Sequence, residues 1–292
     1  NRSRMMNSIA PFWDGNEMWL VLGVGCLFSF FLVAYGIIMT GLYLPVIFML
    51  FGLIMRGVAF EFRFKATSHR YVWDSFFFIG SVVATFAQGI MLGALVQGLE
   101  ASNRLYTGGP FDWFSPFSIM CGFALLIGYA LLGSTWLIIK TEHTLQVWAR
   151  KVSGWLLSAL IVAMIAVTVF MYFSGIDALE GWFSFPGLLY LAPMPIIVVL
   201  LFFLMRKDLT SEREYRPFLL TVALFLMGYI GVCFAIFPYI VPYQMTIYEA
   251  AAADTSLSFM LIGAGIMLPI ILSYTAFAYY TFKGKTDHEH MY

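Results

Sequence analysis

Apolar runs of about twenty residues, separated by short polar stretches, repeat along the whole chain. A helix needs about 20 apolar residues to cross the hydrocarbon core of a bilayer. Eight such runs occur, at about 17–39, 42–60, 74–99, 116–139, 146–173, 185–205, 217–240 and 255–282. Each is predicted to be a membrane-spanning helix, which makes the fold class all-α, a polytopic membrane helix bundle. Thr40-Gly41, between the first two runs, predicts a tight helical hairpin. Pro45 and Pro269 fall inside helices, where neighbouring helices can satisfy the freed backbone groups. Gly89 and Gly93, four residues apart, predict the close approach of a second helix. Thr107-Gly108-Gly109-Pro110 predicts a turn. No polar stretch is long enough for a separate soluble domain, so 1–292 is read as a single transmembrane domain.

The basic residues give a direction to this pattern. Arg2 and Arg4 precede the first run, and Arg63, Lys65 and Arg70 lie in the second connection. Lys140, Arg150 and Lys151 lie in the fourth, Arg206, Lys207, Arg213 and Arg216 in the sixth, and Lys283 and Lys285 in the tail. That places 14 basic residues on one side, only Arg104 on the other, and Arg56 inside a run. Cytoplasmic loops carry the excess of Lys and Arg. The expectation is a multi-pass protein of a bacterial inner membrane with both visible ends cytoplasmic. The loops on the other side carry few charges, Asp177 and Glu180 among them.

Composition agrees. Hydrophobic residues make up 61% and charged residues 11%, against about 25% charged in a soluble domain. Zero net charge gives no overall field toward nucleic acid, so no nucleic-acid partner is expected. Cys26, Cys121 and Cys233 are far apart and inside apolar runs, as small buried side chains would be. The four histidines, His69, His143, His288 and His290, all fall in loops or the tail. A haem buried in a membrane needs an axial ligand from a helix, most often His. This chain is therefore expected to bind no haem and no metal of its own.

Ionisable residues within apolar runs are costly and usually face protein. Arg56 either snorkels to the interface or is a fixed cation that meets a buried anion, in this chain or a partner. Glu61 and Arg63 alternate with Phe60 and Phe62, which fits an interfacial anchor. In Trp13-Asp14-Gly15-Asn16-Glu17, Asp14 or Asn16 can cap the helix that follows, and Glu17 suits its first turn. Alternatively, Asp14 stands at the mouth of a polar channel and takes up protons. Trp73-Asp74 repeats this chemistry, with Arg70 four residues earlier as a partner for Asp74. Asp254 is read as the cap of the last helix. The first residues, Asn1 to Asn7, read as a loop.

Asn7-Ser8-Ile9-Ala10-Pro11-Phe12-Trp13-Asp14-Gly15-Asn16-Glu17-Met18-Trp19-Leu20, Met55-Arg56-Gly57-Val58-Ala59-Phe60-Glu61-Phe62-Arg63 and Tyr71-Val72-Trp73-Asp74 together resemble subunit II of the cytochrome bd and cyanide-insensitive quinol oxidases. The resemblance is strongest over about residues 5–100. It implies nine helices, two four-helix bundles plus a peripheral helix, of which the first would precede Asn1. It implies a heterodimer with a subunit I that holds haem b and haem d (or b), oxidises quinol and reduces oxygen to water. Small single-helix accessory subunits and membrane lipid are further implied partners, and some members hold a structural quinone. The chain itself would not be catalytic. The resemblance assigns Asp14 to the proton path. It assigns Trp13, Arg56, Glu61, Trp73 and Asp74 to support of the haem site and the subunit interface. On composition and topology alone, a multi-span permease or exporter fits as well.

Overall fold

The computed structural model describes residues 2–174 and 192–286. The helices are α1 (Arg2–Asn7), α2 (Trp13–Phe30), α3 (Leu32–Gly41), α4 (Tyr43–Lys65), α5 (Arg70–Gln97), α6 (Pro116–Lys140) and α7 (His143–Phe173). After them come α8 (Pro193–Leu209), α9 (Tyr215–Ile236), α10 (Ile247–Ala250) and α11 (Asp254–Thr281). Two antiparallel hairpins complete the described residues: β1 (Ala101–Ser102) with β2 (Leu105–Tyr106), and β3 (Tyr239–Val241) with β4 (Met245–Thr246). The class is the all-α polytopic bundle expected from the pattern. Among the described residues six helices, α4, α5, α6, α7, α9 and α11, are long and apolar enough to cross a membrane.

The difference from eight has local causes. The run at 17–39 is not one helix: it divides at Phe31, whose φ of −138° and ψ of 58° leave the helical region. No glycine or proline stands there. The freed Phe30 carbonyl instead accepts the Ala252 N–H at 2.9 Å, so a distant backbone donor marks the break. The polar opening of α2 also lowers its apolar character. The run at 185–205 falls partly on 185–191, outside the described residues, and α8 begins at Pro193. Asp177, Glu180, His288 and His290 also lie outside them.

Thr40-Gly41 is not a hairpin turn. Both residues belong to α3, and Leu42 alone separates α3 from α4. Gly41 has another use: a Cβ there would lie 2.9 Å from the Tyr106 ring, so its bare backbone seats that ring. α3 with the β3 hairpin covers one end of the bundle, where Ala34, Ile37, Ile90, Ala94 and Val241 form one apolar cluster. A second cluster, with Leu131, Ile138, Leu157, Met205 and Leu224, joins α6, α7, α8 and α9.

Successive helices from α4 to α7 pack side by side, and small residues set their spacing. A Cβ on Gly52 would come within 2.7 Å of the Gly80 carbonyl, and one on Gly89 within 2.6 Å of the Gly122 Cα. Gly93 meets Ser118 in the same way, at 2.6 Å from its Cα. The Gly89/Gly93 pair thus marks the α5–α6 crossing, as its spacing predicts. α6 starts at a capping box: the Ser115 hydroxyl accepts the Ser118 N–H at 3.0 Å, and the Ser118 hydroxyl accepts the Ser115 N–H at 3.0 Å. By contrast, no residue of α2 or α11 is buried.

The tail is tied back onto the bundle. Lys140 donates to the carbonyls of Phe282 and Gly284, and the Thr286 N–H donates to the Lys140 carbonyl at 2.9 Å. Lys285 Nζ lies 2.7 Å from Glu214, whose other carboxylate oxygen accepts from Gln146 at 2.7 Å. Contacts of this kind bring the N-terminal segment, the α6–α7 turn, the α8–α9 connection and the tail to one end of the molecule. The basic residues of the sequence pattern are therefore gathered there.

Two outcomes follow from this packing. Gly89→Ala pushes a methyl group into backbone and is expected to destabilise by about 1–3 kcal/mol, read as a lower melting temperature in detergent. Partial burial raises the carboxyl of Glu214, but hydrogen bonds from Lys285 and Gln146 outweigh it and hold it below the usual glutamate value of 4.5. A depressed pKa means the tie is fully present above that value and is lost as pH falls through the lower folded one. Thr286 amide protection, corrected for intrinsic exchange, should fall below the ordinary glutamate range, and a flat profile would contradict the tie.

Candidate functional site

α4 carries two arginines seven residues apart, Arg56 and Arg63, which places them two turns apart on one face. Each reaches a carboxylate on a different helix. Arg56 lies nine residues before Lys65, about 13 Å from the end of α4 at 1.5 Å per residue. Its Nε donates to Glu17 Oε1 on α2 at 3.1 Å, and its Nη2 donates to the same oxygen. Of the two readings of Arg56, the structure therefore selects the fixed cation with an anion in this chain. Glu17 is 23% exposed and Arg56 29%, so the pair is partly shielded. Trp13 leans on the same stretch, 5.2 Å between ring centroids from Phe60 and against bare Gly57, where a Cβ would lie 3.5 Å from its ring.

The second arginine is the more buried. The Arg63 side chain is 6% exposed, and its Nε donates to Asp74 Oδ1 on α5. Arg63 also reaches the Ser3 hydroxyl at 3.3 Å, and Arg2 reaches Asp74 at 3.2 Å. This corrects three expectations. Arg63 is not an interfacial anchor but a buried half of an ion pair. Asp74 pairs with Arg63 and Arg2, not Arg70, whose Nε donates to the Ala66 carbonyl at 2.9 Å. Residues 2–7 form α1 and not a loop, which is what delivers Arg2 and Ser3 to the cluster.

None of the acidic residues read as caps is one. α2 begins at Trp13 with Phe12 in the cap position, α5 at Arg70 after His69, and α11 at Asp254 after Ala253. Asp14 sits in the first turn of α2, where the helix dipole favours its charge. Its side chain is exposed, and it lies one turn before Glu17. Glu61 is also exposed and belongs to neither ion pair. Trp73 stacks on Phe62, with centroids 5.3 Å apart. The site thus unites Trp13, Glu17 and Arg56 in one group and Asp74, Arg63 and Arg2 in another.

A cavity of about 330 Å³ opens beside the first group, lined by Trp13, Asn16, Arg56, Phe60, Trp136 and Tyr279. Sequence reasoning missed its far wall. Phe12 is stacked on Tyr279 at 4.4 Å and edge-on to Trp136 at 5.5 Å. Lys140 Nζ lies 5.3 Å from the Phe12 ring and 5.1 Å from the Trp136 ring. Lys140 is 3% exposed, although its position at a helix end read only as part of the basic side. Its aromatic neighbours come from α6 and the segment before α2, with Tyr279 of α11 packed against both rings, and no local spacing links them. Of the histidines, His69 precedes α5 and His143 opens α7, both exposed.

Removing one partner of a buried pair leaves the other charge uncompensated. Asp74→Ala is expected to destabilise by about 3–5 kcal/mol, while Asp74→Leu combined with Arg63→Met should recover most of that loss. Thermal melts of the single and double variants check it; equal losses in both would contradict the pairing.

The family described as cytochrome bd terminal oxidase subunit II matches residues 1–282. Cytochrome bd ubiquinol oxidase subunit 2 of Bacillus subtilis is 28% identical over 299 residues, covering 99% of this chain and 86% of that protein. Cytochrome bd-I ubiquinol oxidase subunit 2 of Escherichia coli is 27% identical over 328 residues, covering 99% and 86%. The fold is also that of a chain in the structure of bd oxidase from Geobacillus thermodenitrificans, with a TM-score of 0.69 and 11% identity over 95% of this chain and 86% of that one. With the family match running nearly end to end, the chain belongs to the cytochrome bd terminal oxidase subunit II family.

Proposed function

We propose that this chain is the haem-free subunit of a quinol:oxygen oxidoreductase, which braces a haem-bearing subunit I and lines part of its cytoplasmic proton path. The observation that carries this reading is the Arg56–Glu17 pair, which fixes the start of α2 and with it the exposed carboxylate of Asp14. α2 and α11 bury none of their residues within this chain, which supports a partner packed against them in the complete oxidase. The basic end of the bundle faces the cytoplasm of a bacterial inner membrane, and residues 1–292 act as one membrane unit. The haems of the partner supply the oxygen chemistry.

The steps assigned to this chain are proton handling and positioning. Asp14 takes a proton from cytoplasmic water, and polar groups at the subunit interface pass it on. Arg56 pairs with Glu17 across the two helices, so α2 stays in register with α4. Trp13, Glu61, Trp73 and Asp74 belong to the surface that holds the partner's haem site in shape. A structural quinone and single-helix accessory subunits are compatible with this assembly.

Asp14→Asn is expected to lower oxygen reduction and proton uptake by about tenfold or more, as loss of a positioned proton-transfer group does, with the complex still assembled. Unchanged turnover and proton stoichiometry would refute the role. Arg56→Ala should instead lower the haem content of the purified complex, and a normal haem spectrum would count against the bracing role. Solute flux through the chain alone in liposomes would favour the permease reading.

A further inference from the structure

We propose that a cavity between α7 and α8, remote from the Arg56 site in sequence and lining, binds the phosphate-bearing headgroup of an anionic lipid. The cavity has a volume of about 400 Å³ and is lined by Arg150, Lys151, Trp155, Ser158, Arg206 and Thr210, with Gly154 and Leu209 completing its wall. Three cations converge on it, and among the described residues no carboxylate lines it.

Both guanidinium groups are held in place by backbone carbonyls, which orient them without neutralising them. Arg150 donates to the Ser211 carbonyl at 2.7 Å, to that of Arg213 at 3.0 Å and to that of Asp208 at 3.4 Å. Arg206 Nη1 lies 3.3 Å from the Gly154 carbonyl across the cleft. Asp208, next to Leu209 of the wall, is 2% exposed and already pairs with Arg213 at 3.2 Å and Arg216 at 3.1 Å. Its charge is therefore matched without any help from the cavity's cations. The general excess of basic residues at this end accounts for how many cations there are. It does not account for three of them meeting in one recess between two helices.

The walls below the cations identify an amphiphile in preference to a free anion. Lys151, Trp155, Ser158 and Val162 follow one another at spacings of four, three and four, which is one face of α7. Trp155 is 74% exposed and Val162 66%. On α8 the spacing Arg206, Phe203, Val199 gives a matching face, with Phe203 64% exposed and Val199 53%. From the cavity, then, each helix runs from cation to apolar side chain in the direction of the membrane interior. Tryptophan suits the headgroup level between the two, and basic pockets between membrane helices recognise anionic headgroups.

The test uses the whole assembly as it purifies from its membrane, stripped of lipid by prolonged detergent exchange. It is titrated with short-chain phosphatidylglycerol or phosphatidylcholine and read by native mass spectrometry. The unmodified assembly should retain phosphatidylglycerol in preference to phosphatidylcholine. Lys151→Gln with Arg206→Gln should lower that retention by about tenfold or more, two interfacial cations being lost. Lys207→Gln, an exposed change outside the cavity, should leave it unchanged and serves as the control for general charge. Equal retention by the double variant, or no preference between the two lipids, overturns the site. Displacement of phosphatidylglycerol by a large excess of inorganic phosphate overturns the lipid assignment and leaves a free-anion pocket.

Discussion

A cation fixed inside a membrane-spanning helix needs fixed partners, an anion above all, because its charge cannot recover its hydration in a low-dielectric surrounding. α4 carries two such cations on one face, and the arrangement of its neighbours follows from where the anions are. Glu17 draws the start of α2 to Arg56, and Asp74 draws α5 and α1 to Arg63. Apolar packing between membrane helices is weakly directional, since lipid tails are as apolar as leucine. The ion pairs and the bare glycine contacts are what select one register among many that would bury similar area. The glycines let α4, α5 and α6 approach, and the charges say at which height.

The pattern of apolar runs was enough for fold class because a bilayer imposes a length on each helix. It located the helix that begins at Pro116 to within a residue, since Ser115 and Pro116 are local signals for a helix start. It failed at Phe31, where the break is marked by the Ala252 N–H from more than two hundred residues away. It misread Gly41, because a glycine that seats a distant ring looks the same in sequence as one that makes a turn. The motif blocks singled out Trp13, Arg56 and Asp74, each of which the structure places in a contact between helices or with an ion-pair partner. Their partners were less legible: Arg70 is the nearest cation to Asp74 along the helix, yet Arg63 comes closer by folding back across the α4–α5 connection.

The candidate site has a fixed part and an open part. The ion pairs, the Trp13 contact on Gly57 and the Lys140 cluster are complete within the chain, and they form the rigid frame. Asp14, Glu61, α2 and α11 remain exposed, so they are the surfaces a companion subunit would complete. This division is what the proposed role rests on, to hold and to wet with protons rather than to react. Lys140 strengthens the frame: a buried ammonium between Phe12 and Trp136 joins the N-terminal segment to α6 and, through its carbonyl bonds, to the tail.

On the proposed function, this chain works as the haem-free half of an oxidase. The most direct measurement is an absorption spectrum of the affinity-purified assembly, with a gel that counts its chains and a haem stain of that gel. The b-type haem bands should travel with a second chain of similar size, while this polypeptide isolated on its own is colourless. Haem held by this polypeptide alone, or purification with no haem-bearing companion, would contradict it.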